Sequence, residues 1–178
     1  MDHQAVIDFW FSELQPQQWF KKDPALDAAI VERFGALHAA AARSELFEWR
    51  ASIEGRLAEV LVLDQFSRNI HRDTPASFAS DPLALALAQE AVRQGLDDGL
   101  DPTRRSFLYM PYMHSEAASV HEIAVRLYER APGPNLEFER KHKAIIDRFG
   151  RYPHRNSILG RVSTPEELAF LQQPGSSF

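Results

Sequence analysis

Apolar residues recur every three or four positions along almost the whole chain, and strict alternation is scarce. That period predicts helices. A first helix, with Asp2 at its N-cap, would carry Val6, Phe9, Trp10 and Leu14 on one face. Residues 15–22 read as a linker that Trp19 and Phe20 should pin to the core. Asp23-Pro24 then places a capping side chain before a proline at the first helical position. The helix behind it would bury Leu26, Ile30, Phe34, Leu37 and Ala41. Residues 43–51 suggest a packed loop or a short helix.

Ser52 opens the most strongly patterned helix. Ile53, Leu57, Val60 and Leu61 mark its inner face, and Asp64 and Arg68 continue the same stripe. Residues 71–80 are rich in turn formers. Asp81-Pro82 and Asp101-Pro102 repeat the cap-and-proline start, and Gly95 supplies a stop. Residues 103–110 form an apolar helix expected to end or kink at Pro111. A further helix spans 115–130, before the breaker Ala131-Pro132-Gly133-Pro134. Asn135 is placed to cap a helix burying Leu136, Ile145, Ile146 and Phe149, with Gly150 past its end. Thr164 and Glu167 make a capping box for the last. Seven or eight helices with short connections make one all-α domain over residues 1–178, for which antiparallel helix pairs are the natural packing. The residue pattern of the 34-residue tetratricopeptide repeat is absent, so any repeat would be structural only.

Composition narrows the chemistry. The chain has no cysteine. That removes disulfides, thiolate zinc sites, iron–sulfur clusters and thiol nucleophiles. The N-terminus lacks a basic segment ahead of its short apolar run, so it does not read as a signal peptide. No apolar run approaches the roughly 20 residues of a membrane helix. A cytoplasmic protein without a membrane partner is the expectation. A net charge of −5 argues against nucleic acid as a partner. Against that acidic background, Arg140–Arg161 holds seven Lys and Arg residues and one carboxylate, Asp147. The stretch carries +6 and leaves −11 for the rest, which raises the question of what anion it faces.

Three segments could carry chemistry. In the first, Asp64 and Arg68 are four apart on a helix, so a contact between them is expected, with Asn69 at the helix end. They form a structural ion pair, or one of them points into a pocket. In the second, His114, Ser115 and Glu116 follow Pro111; Glu116 also suits a helix start on electrostatic grounds alone. In the third, His142, Arg148, Arg151, His154, Arg155, Asn156 and Arg161 supply many donors in a short span, and the part around His154 reads as a turn. Arginine forks suit carboxylate or phosphate. The plainer alternative has these arginines tied to Glu48, Glu54, Glu59 or Asp73. Arg140, Lys141 and Lys143 read as a solvated face. His114 and His121 share a face, and Glu139 with His142 makes a lone Glu-x-x-His, but neither completes a metal motif. No metal or cofactor is assigned.

The segments LVLDQFSRNIHRDTPASFASD, FLYMPYMHSE and RFGRYPHRNSILGRVSTPEE, in that order, resemble the signature stretches of the mainly bacterial domain-of-unknown-function family 924. The resemblance covers nearly the whole chain. It implies a tetratricopeptide-like α/α superhelix and no activity.

Two functions follow from these readings. One is a polar, cationic pocket between helices for a small anionic ligand, with an enzyme site as one form of it. Arg68, Asn69, Arg148, Arg151, Arg155 and Asn156 would then bind, and Asp64, His114, Glu116 and His154 would handle protons. The other is a helical scaffold that takes a protein segment in a groove.

Overall fold

The structure is a computed structural model that describes residues 1–131 and 133–177. Among those residues the helical period becomes eight helices and no strand. They are α1 (residues 3–13), α2 (Pro24–Ala42), α3 (residues 53–70), α4 (Asp81–Arg93), α5 (Pro102–Met113), α6 (Ala118–Arg130), α7 (Asn135–Phe149) and α8 (Pro165–Leu171). Pro132, within the expected breaker, lies outside the described residues. The helices make a single all-α domain, and none is long and apolar enough to cross a membrane.

The central element is α3, which packs against α1, α2, α4 and α5. Every residue from Leu57 to Ser67 is buried. A helix enclosed on all sides should be apolar all round. This one instead buries Glu59, Asp64, Gln65 and Ser67, so each must find a partner inside the protein. Glu59 accepts from Nε and Nη2 of Arg50, each at 2.7 Å. Ser67 donates to the Leu63 carbonyl and meets His38 Nε2 at 2.7 Å. In the middle of α3, Val62–Phe66 widens into a π-helical turn. The main core gathers α1 to α6 around rings such as Trp10, Phe34 and Phe66. A small second core joins Ile145, Ile146 and Tyr152 to Phe149 and Phe170.

Capping follows the sequence at four helices. Asp23 and Asp101 each accept two backbone amides, Ser52 accepts one, and Thr164 and Glu167 close their box. Gly95 and Gly150 take positive φ of 70° and 68° as helix stops. Three expected caps are not made. Asp2 sits at an N-cap but its carboxylate meets His3 Nδ1 instead. Asp81 is already inside α4, and its carboxylate turns to arginines. Asn135 likewise starts α7 without capping it. Nor does α5 end at Pro111; it runs two residues further. Proline removes one donor, and the burial of Tyr112 and Met113 keeps the last turn helical. Trp19 does pin the linker, donating to the Trp10 carbonyl at 2.8 Å, but Phe20 remains 68 % exposed.

Gly55 of α3 and Gly35 of α2 look alike in sequence and differ in space. A Cβ at Gly55 would stand 2.0 Å from the Trp49 carbonyl oxygen, whereas nothing lies within 4 Å at Gly35. We expect Gly55→Ala to destabilise the fold by more than about 2 kcal/mol, because backbone must move. Gly35→Ala should instead stabilise it by up to about 1 kcal/mol. Urea unfolding of the two variants separates these outcomes, and equal effects would show that the approach at Gly55 is slack.

Candidate functional site

The π turn of α3 positions the site. It points the buried Asp64 toward the end of α5, where Asp64 Oδ1 meets His114 Nδ1 at 2.7 Å. Gln65 donates to the second carboxylate oxygen at 2.6 Å, and Arg68 Nη1 stands 3.2 Å from the first. Burial pushes the Asp64 carboxyl up, but Arg68 and His114 outweigh it and hold it below the usual carboxylate range. Burial, then Arg68, hold His114 below 6.5, with Asp64 opposing. His114 is therefore neutral at pH 7. Its Nδ1–H donates to Asp64, which leaves Nε2 as a base with no protein partner among the described residues.

Arg68 is fixed from behind. It gives both terminal nitrogens to Asp81 of α4, at 2.9 and 3.0 Å, and a further bond to the Asp64 carbonyl at 2.7 Å. Arg155 shares Asp81, at 3.5 Å, and donates to the His114 carbonyl at 3.0 Å. Its guanidinium lies between the rings of Phe78 and Tyr152, 4.6 and 4.7 Å from their centroids. Arg155 is only 6 % exposed, and its Nε has no hydrogen-bond partner. Burial, then Arg68, weaken its hold on its proton.

These groups border a cleft of about 510 Å³. Its polar wall includes Arg68, Asn69, Arg72, His114, His154 and Arg155. Its apolar wall comes from Met110, Met113, Phe78, Phe138 and Ile158, with Trp19 and Phe20 beside them. Asp73 also lines the cleft, while Asp27, Asp64 and Asp81 stand one layer further back. Asp27 takes Arg72 in two bonds, as Asp81 takes Arg68. Guanidiniums thus face the space while their counter-ions orient them from behind.

Of the residues singled out in the sequence, Arg68, Asn69, His114, His154 and Arg155 line this cleft, and Asp64 supports it. Arg148, Arg151, Asn156, Arg161 and Glu116 do not line it. Arg148 pairs with Glu166, and Arg151 with Glu167, both at 2.7 Å. Asn156 bonds Ser163 and Glu167. Glu116 takes Arg161 in two bonds and accepts the Tyr152 amide at 2.7 Å. Glu116 thereby clamps the turn that delivers Arg155, and Tyr152 completes the clamp by donating to the Met113 carbonyl. The basic stretch is tied to Glu116, Glu166 and Glu167, not to Glu48, Glu54, Glu59 or Asp73. His121, on the expected shared face, instead meets the buried Glu139 at 2.7 Å.

The residues that sequence reasoning did not place here are Asp81 and Phe78, whereas His142 of the basic stretch does line the cleft. Asp81 had carried a signal, misassigned to capping. Among the described residues no three His, Asp or Glu side chains gather as metal ligands.

The fold and site define a class: a single all-α domain whose central buried helix backs an arginine- and histidine-lined cleft. The chain belongs to the family described as bacterial proteins of unknown function (DUF924), whose model matches residues 6–175. It is similar to the solved structure of a protein of unknown function, ATU0120, from Agrobacterium tumefaciens. The two are 42 % identical, with 96 % of each chain covered and a TM-score of 0.91. Comparison with curated proteins finds no match.

Burial pushes His142 to about 3 and, with Arg155 second, His154 to about 4, from 6.5. In the unfolded chain both take a proton near 6.5. Their contribution to stability is complete above that pH and is lost as pH falls from 6.5 toward 4. Between about pH 6.5 and 5 each histidine should cost up to about 2 kcal/mol. Denaturant unfolding at both pH values checks this, and His142→Gln should lose measurably less than the parent. Equal losses would remove the buried histidines as the cause.

Proposed function

We propose that the cleft binds a small organic anion, carboxylate or phosphate, and that His114 exchanges a proton with it or with a water beside it. The observation that carries this reading is the state of Arg155. Arg140, Arg148, Arg151 and Arg161, in the same stretch, each have a carboxylate within 3.0 Å. Arg155 has its nearest at 3.5 Å, shared with Arg68, although it is the most deeply buried of the five. A buried cation with incomplete bonding is expensive, and an anion in the cleft relieves it. His114, held in one tautomer by Asp64, supplies acid–base chemistry at the same wall. His154 is a second neutral imidazole beside it. Glu116 acts through the clamp on Tyr152 rather than on a ligand. The absence of cysteine fits a reducing compartment, and the cytoplasm is the location we propose.

A second reading rests on the exposed rings of Phe20 and Phe138 at the rim. It makes the domain a tetratricopeptide-like scaffold that takes a protein segment in the cleft.

Thermal unfolding in millimolar phosphate, acetate or succinate tests the first reading. A ligand at 100 times its Kd adds about 2.7 kcal/mol, which raises Tm by roughly 5–10 °C in a domain of this size. Arg155→Gln, with its fold checked by circular dichroism, should abolish the shift, and acetamide should give none. No shift with any anion would overturn the anion reading.

A further inference from the structure

A bare phosphate or acetate engages only the polar wall. The rest of the cleft is Met110, Met113, Phe138, Ile158, Trp19 and Phe20, which a small anion leaves wet. Two of those rings are costly where they stand: Phe20 is 68 % and Phe138 51 % exposed. Phe20 lies parallel to Phe107, 6.1 Å away and 10° from coplanar, so it is held open rather than folded inward. Beyond these rings lies a second hollow of about 250 Å³, lined by Pro16, Trp19, Phe20, Phe107, Pro134 and Asn135. It shares Trp19, Phe20 and Asn135 with the cleft, so the two spaces adjoin across one aromatic sill.

We infer that the ligand is an amphiphilic monoanion: an acidic head at Arg68 and Arg155, and an apolar tail running over Phe20 and Phe138 toward the second hollow. The inference rests on the anion reading of the cleft and adds the substrate's other end. The arginines Arg68, Arg72 and Arg155 gather at one end of the space, and Lys21 and Asp73 are the other charged residues of its lining. The polar floor is built from the end of α3, Arg72, His114 and the 153–155 turn, whereas the sill comes from the 19–20 linker and the start of α7. A single straight molecule can therefore satisfy both without burying its charge among rings. A tail there would remove Phe20 and Phe138 from water together with its own methylenes. Each buried methylene adds about 0.8 kcal/mol, a gain of about four-fold in affinity.

The experiment titrates the full chain with straight-chain carboxylates from acetate to decanoate, below their micellar concentrations, following tryptophan fluorescence with Trp19 as the reporter. Matched alcohols form a second series. Affinity for the carboxylates should climb about four-fold per carbon across several carbons and then level off. The exposed-ring double variant Phe20→Ser with Phe138→Ser should lose that slope while keeping its acetate affinity. A carboxylate series with no dependence on length, while acetate still binds, overturns the tail and leaves the anion reading intact. A slope that survives in the double variant overturns the tail's placement. Alcohols binding as well as the carboxylates overturn the acidic head, and the anion reading with it.

Discussion

A carboxylate withdrawn from water must be surrounded by donors, and meeting that demand at Asp64 shapes the middle of this molecule. Asp64 lies within a helix that has no solvent-facing side over residues 57–67. It draws His114 from α5 and Gln65 and Arg68 from its own helix. Arg68 in turn needs Asp81 of α4, and Asp81 also faces Arg155 from the C-terminal turn. Four parts of the chain that share little sequence proximity are thus ordered by one chain of alternating charge. Removing Arg68 would take from the buried Asp64 and from Asp81 the cation nearest to each, a costly kind of loss in a protein interior.

The same logic explains the basic stretch from 140 to 161. Its +6 is mostly an internal matter, since Arg148, Arg151 and Arg161 close on Glu166, Glu167 and Glu116. These pairs bend the chain after α7 back onto the bundle and present the 153–155 turn to the cleft. Partly exposed pairs of this kind contribute little stability singly. Their value here is positional: they determine where the two bonds from Glu116 and the ring of Tyr152 leave Arg155.

The all-helical fold was legible because helical periodicity survives tertiary context when one face is buried; the stripes of α1 and α2 are buried residue for residue as expected. The interest of Asp64 and Arg68 was legible for the opposite reason, as charge on an apolar stripe. Asp81 was not, because an aspartate before a proline at a helix start looks the same whether it caps or reaches 13 residues away to Arg68. The partners of Arg148 and Arg151 escaped too, since local spacing says nothing about a carboxylate on α8. Phe20 was expected inside, but an aromatic residue carries no mark of which way its linker turns.

The π turn at Val62–Phe66 has an implication for how this family can vary. Such a turn is one residue more than a regular helix needs to cover the same rise. Everything after it is rotated by about 100° relative to everything before. Upstream, Leu57 and Leu61 keep their seats in the core, while downstream Arg68 and Asn69 swing onto the cleft. A single-codon deletion inside the turn would restore ordinary winding and carry those two side chains round to another flank. Relatives that keep the cleft must therefore keep the surplus residue, whatever else drifts around it.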